Sequence, residues 1–135
     1  MITWKNNMDG PHTVLILSKD AEMISVWETL FQQKNCHVFH ESAPHTALIM
    51  AAMTTPSLII LDLELPQTAK LDLCRRLRAT TKGTLLLLAP SADRKNIFEY
   101  IHAGVNEHIS TPISPMALLV KSMAWLVRQE WSVAA

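Results

Sequence analysis

The chain has 135 residues, enough for one domain and too few for two. Its apolar content of 49% fits a globular protein with one core, and twelve basic against twelve acidic residues give a formal net charge of zero. That balance offers no basic field to nucleic acid, and no stretch is long and apolar enough to span a bilayer, so neither nucleic-acid binding nor membrane insertion is expected. Cys36 and Cys74 have no metal or redox spacing and read as reduced thiols. Residues 1–12 are polar, lack a secretory core and read as a loose lead-in, so a cytoplasmic location is expected.

Taken in order, Thr13 to Leu17 reads as a short apolar strand that ends at Ser18-Lys19-Asp20. Asp20 is a candidate N-cap for a helix whose Met23, Ile24, Trp27, Leu30 and Phe31 recur at helical spacing. Cys36 to His40 reads as a second strand. Ser42 is expected to cap the next helix, with Pro44 in its first turn and Ala47, Leu48, Ala51 and Ala52 on its inner face. Thr54-Thr55-Pro56 stops it. Then comes Leu58-Ile59-Ile60-Leu61, an unbroken apolar run that closes on Asp62. A strand that apolar is buried on both faces, as the centre of a parallel sheet is.

After Pro66 a polar loop leads into a helix carrying Leu71, Cys74 and Leu77. Thr84 to Leu88, between Gly83 and Pro90, is too short for a useful helix and reads as a strand. Asp93 is expected to open a helix running to Ala103, with Ile97, Phe98 and Ile101 on one side and Gly104 at its C-terminal end. Glu107 to Ser110 reads as a fifth strand, Thr111-Pro112 turns the chain, and Ser114-Pro115 starts a final helix to about Glu130. Strands alternating with helices imply a parallel sheet covered on both faces. A doubly wound α/β fold of flavodoxin-like order 2-1-3-4-5 follows. That order makes strands 1 and 3 central neighbours, so Ser18-Lys19-Asp20 and Asp62 meet at the carboxyl edge, where such sheets bind ligands.

Over about residues 12–128 the chain resembles the receiver domain of two-component response regulators. The resemblance is carried by Leu58 to Pro66, by Leu71 to Arg78, by Ala103 to His108 with Thr111-Pro112, and by Ser114-Pro115 with Leu118-Leu119. It places the family's phospho-accepting aspartate on Asp62. Several other family positions are changed. The adjacent acids that hold the divalent metal read Ser18 and Lys19, the hydroxyl residue after strand 4 reads Ala89, the lysine before the proline reads Thr111, and the aromatic switch residue reads His108.

Phosphoryl transfer to a carboxylate needs a metal or fixed cations to offset charge on the transferring oxygens. Paired carboxylates hold magnesium well, whereas a hydroxyl beside an ammonium does not. No cofactor is therefore expected, magnesium entering only if the site is not degenerate. One expectation is that Lys19 pairs with Asp62 as a tethered cation and fixes one state; the other leaves Lys19 in solvent. A one-residue slip in the alignment would return Asp20 to a metal position.

Other chemistries are less well served. Asp62-Leu63-Glu64 imitates the Asp-x-Asp of haloacid-dehalogenase-type phosphatases but lacks the second aspartate. The histidines show no metal pair at helical spacing, and no glycine-rich loop or nucleophile elbow is present. The last helix carries the apolar residues Met116, Leu119, Val120, Met123, Leu126 and Val127 on one side and Leu118, Ser122 and Trp125 on the other. The resemblance turns the second set inward and leaves Leu119, Val120, Met123 and Val127 outward, beside Phe98 and Ile101. It implies two-fold dimers through helix 4, strand 5 and helix 5. The alternative rotates the helix and buries the longer stripe.

The expected whole is a non-enzymatic receiver-type regulatory module over 13–130, with 131–135 as a tail toward an output domain. Its partners are proteins, among them a sensor histidine kinase and a second copy. The alternatives are a phospho-accepting receiver that tolerates an unusual metal site and a small phosphatase using Asp62 as nucleophile.

Overall fold

The computed structural model describes residues 11–134, with side chains described to Glu130; the lead-in at 1–10 and the side chains of the 131–135 tail lie outside the described residues. Five strands run β1 (Thr13–Ser18), β2 (His37–Glu41), β3 (Leu58–Asp62), β4 (Thr84–Pro90) and β5 (Glu107–Thr111). All pair in parallel, in the order β2-β1-β3-β4-β5. The intervening helices are α1 (Ala21–Gln33), α2 (Pro44–Thr54), α3 (Gln67–Thr80), α4 (Ile97–His102) and α5 (Pro115–Ala134). This is the doubly wound fold expected from the alternation.

The alternation of side chains along each strand divides the core in two. Leu15, Leu17, Ile59, Leu61, Leu85 and Leu87 face α2, α3 and α4, where Ala47, Ala51, Cys74, Leu77 and Tyr100 meet them. Val14, Ile16, Leu58, Ile60, Leu86, Leu88 and Ile109 face α1 and α5, where Ile24, Trp27, Phe31, Leu118 and Leu126 close the other layer. Strands buried on both sides cannot accommodate polar side chains except at their ends. That is why the chemistry-bearing residues collect at the edge.

Several local expectations are corrected. Ala43, not Ser42, stands at the α2 N-cap and offers no side-chain bond; Pro44 supplies the start. Cys36 lies before β2, its N–H bonded to the Phe31 carbonyl. Ala52 is exposed. The helix expected from Asp93 is instead a 3-10 turn over Ser91–Asn96 followed by α4. The Asp93 carboxylate points to Lys70 rather than capping backbone N–H groups. The last helix extends to Ala134, past the expected end at Glu130. Asp20 does cap α1, its Oδ1 accepting from the Met23 N–H at 3.1 Å.

The edge opposite Asp62 is closed by Arg78. Its guanidinium donates to the carbonyls of Thr81, Gly83 and Gly104 and to Asn106 Oδ1. Asn106 Oδ1 also accepts the Leu85 N–H. Gly104 has φ +108°, and a Cβ there would lie 2.6 Å from Arg78 Cγ. Gly104→Ala should therefore combine backbone strain with a clash against the clamp and cost about 2 kcal/mol. Urea unfolding followed by circular dichroism measures it.

Candidate functional site

Parallel pairing of β1 with β3 sets Ser18 opposite Asp62. The Ser18 side chain is fully buried; its hydroxyl donates to Asp62 Oδ2 at 2.9 Å and accepts the Asp20 N–H at 3.1 Å. One hydroxyl thus ties the exit of β1 to the acid at the end of β3. Burial pushes the Asp62 carboxyl above its ordinary range, the Ser18 bond opposes this, Asp20 and Glu64 add to it, and Lys70 opposes it.

Of the two expectations for Lys19, the pair with Asp62 is not formed and the exposed side chain is the one found. Lys19 makes no ion pair with Asp62. It follows Ser18 at the strand end, where alternation sends it away from the side chain that meets Asp62. The buried cation of this edge is a residue the sequence reading passed over. Lys70, in the first turn of α3, is only 6% exposed, and its Nζ lies 4.0 Å from Asp93 Oδ2. Its charge also acts on Asp62, Cys74 and His108. A signal was available: Lys70, Leu73, Cys74 and Leu77 share helical spacing, so Lys70 sits on the core-facing stripe.

Ala89 is buried at the end of β4 and brings no hydroxyl. Thr111 closes β5 opposite Pro90, and the following Thr111–Pro112 peptide bond is cis. His108 pairs in register with Leu87 and so lies on the sheet face covered by α3 and α4. Both its ring nitrogens are buried without a hydrogen-bond partner. Burial pushes its pKa below the ordinary value, Asp93 pulls it up, and Arg94 and Lys70 push it down.

These donors do not fit a magnesium ion. Ser18 has its hydroxyl engaged on Asp62, Asp20 caps a helix, and the buried Lys70 ammonium already acts on Asp62. Among the described residues, no three His, Cys, Asp or Glu side chains gather closely enough to hold a metal.

The expected interface residues are only partly outward. Phe98 is 79% exposed and Val120 62%, with Ile101, Met116 and Val127 also exposed and Met123 half-buried. Leu119 is corrected: at 5% exposure it belongs to the core, together with Leu126. The apolar arc of α5 is wider than one side, so Leu118, Leu119, Ser122 and Leu126 face the sheet, Met123 and Trp125 pack half-buried at its margin, and Met116, Val120 and Val127 remain outside. Trp125 is half-buried and donates Nε1–H to Glu107 Oε1 at 2.8 Å, while Lys121 reaches Oε2 at 2.9 Å. Burial pushes Glu107 up, but the bonds from Trp125 and Lys121 outweigh it and leave the carboxyl below its ordinary range.

The response regulator receiver domain family matches residues 14–122. The chain belongs to that family. The DNA-binding response regulator MtrA of Mycolicibacterium paratuberculosis is 24% identical over 117 residues, 87% of this chain and 52% of that protein. The transcriptional regulatory protein ResD of Bacillus subtilis is 22% identical over 115 residues, 85% of this chain and 48% of that protein. A CheY-like response regulator receiver domain protein from Methanospirillum hungatei has the same fold, with TM-score 0.80 at 19% identity, 90% of this chain and 98% of that chain being covered. This receiver spans about half the length of the curated relatives it matches.

A raised Asp62 value means the ionised acid disfavours the folded state. The sign follows from linkage: the penalty is complete above the raised value and fades as pH falls toward the ordinary carboxylate range. Asp62→Asn should therefore raise Tm by a few degrees at neutral pH. The gain should disappear in acid; thermal unfolding across pH checks both.

Proposed function

We propose that this receiver is a regulatory module of two-component signalling in which phosphorylation at Asp62 is slow or absent. It carries no resident metal, is not an enzyme, and passes its state to proteins through the face made by α4, β5 and α5. The carrying observation is the Ser18 hydroxyl bound to Asp62 where the resemblance calls for a metal-holding acid. Ala89 and Thr111 support the same reading, since neither supplies the hydroxyl or ammonium that would meet a transferred phosphoryl group. Without that charge compensation the acid at Asp62 is a poor acceptor.

The face is read as the contact between two copies. Phe98 and Ile101 on α4 and Met116, Val120 and Val127 on α5 are exposed large apolar residues on the two helices either side of β5, and exposed apolar surface of this kind marks contact sites. A two-fold axis would set the same patch on itself. The upstream partner is a sensor histidine kinase, and the surroundings are cytoplasmic.

A second reading, a receiver that accepts phosphate at an unusual site, is favoured by one feature: the buried Lys70 ammonium lowers the Asp62 carboxyl against the effect of burial.

Incubation with acetyl phosphate or beryllofluoride in excess magnesium should leave the mass and the amide spectrum unchanged. A stoichiometric adduct at Asp62 would establish the second reading instead. In light scattering the parent should run as a dimer, and Val120→Asp or Phe98→Asp should halve its mass. A parent of monomer mass, or variants that keep the dimer, would remove the interface.

A further inference from the structure

Given a site that holds its state without phosphate, as proposed above, we propose that Lys70 is its resident cation. The link from Lys70 to Asp93 then pins the Ser91–Asn96 turn, and with it α4, in one position. The usual sources of positive charge are missing here: Ser18 and Lys19 stand where the resemblance calls for metal-holding acids, Lys19 is exposed, and Thr111 replaces the lysine. The positive charge arrives from a different element. Lysines are almost never buried unless paired, because removing an ammonium from water is costly. Lys70 is buried, and the carboxylate at its tip is Asp93, 4.0 Å away in the turn that joins β4 to α4. Its charge also acts on Asp62 and on His108, so the ammonium that meets the turn bears on the acid as well.

From β5, the His108 ring lies on the same sheet face with both nitrogens buried and without a hydrogen-bond partner; Asp93 acts on it electrostatically, but the ring makes no ion pair with that carboxylate. A second tie runs beside the first, since Gln67 Nε2 donates to Glu99 Oε2 at 3.0 Å, but it is exposed to water. Both ties join the first turn of α3 to the β4–α4 region. The buried charged one is expected to dominate, because its partner groups have the least water to fall back on. The turn runs directly into α4, which carries Phe98 and Ile101. Holding the turn therefore holds the apolar face.

The experiment is a double-mutant cycle on the full chain with Lys70→Met, Asp93→Asn and both together. Amide hydrogen exchange over Asn96 to His102 is the readout. Each single change should speed exchange there severalfold, and the double change should speed it no further than the larger single. Lys70→Arg, which keeps the charge, should stay near the parent, whereas loss of packing alone would disturb Arg and Met variants alike. Additive effects, or no effect from Asp93→Asn, would overturn the link. Asp93 is half-exposed, so its variant reads out even if Lys70→Met folds poorly. A magnesium chloride titration tests the cation role: amide shifts at Asp62 and Leu63 should appear at severalfold lower concentration in Lys70→Met than in the parent. An unchanged titration would overturn that role. A beryllofluoride adduct in the parent would overturn the phosphate-free reading while leaving a coupled cycle intact, and an uncoupled cycle without adduct would do the reverse.

Discussion

The hydrogen bond from Ser18 to Asp62 depends on a strand register, and so does everything at this edge. Because Val14 to Leu17 and Leu58 to Leu61 are buried on both faces, the two strands have no polar residue inside the sheet. Slipping the pairing by one residue would exchange the two core faces and bury the wrong groups. The apolar runs therefore fix where each strand ends, and the ends set a hydroxyl against a carboxylate. The carboxylate is half-buried and has a neutral donor, and the buried Lys70 of α3 adds a positive charge that acts on it.

The fold was largely legible because its signals are redundant. Apolar strands bounded by Gly83, Pro56, Pro66 and Pro90 leave little choice of element, and alternation with helices leaves little choice of topology. Asp62 was legible for the same reason, as the first polar residue after an apolar run. Misreadings arose where a residue's direction, not its position, decides its role. Lys19 directly follows Ser18 yet is exposed, while Lys70, a turn into the helix after Asp62, is buried. Leu119 has outward and inward neighbours on α5, and only packing against the sheet settles its side. Asp93 looked like a cap because acids often are; its carboxylate was instead drawn to the buried amine.

Charge is also arranged unevenly around the sheet. On the β5 side, Glu107 is held ionised by Trp125 and Lys121, and Arg128 stacks 4.4 Å over the Trp125 ring. Those groups brace the middle of α5 against β5, so the helix presents Val120 and Val127 from a supported backbone. The exposed apolar side chains are therefore displayed on a firm scaffold, which suits the contact between two copies proposed for this face.

The Arg78 clamp at the far edge has a mechanical consequence. Its bonds to the Gly104 carbonyl anchor the C-terminal end of α4, whereas the N-terminal end follows a short turn tied to α3 through side chains. The six-residue helix is thus a lever with a fixed fulcrum at its glycine end. If the side-chain ties at its N-terminal end were released, the helix would swing about that point, with Phe98, near the released end, travelling farther than Ile101.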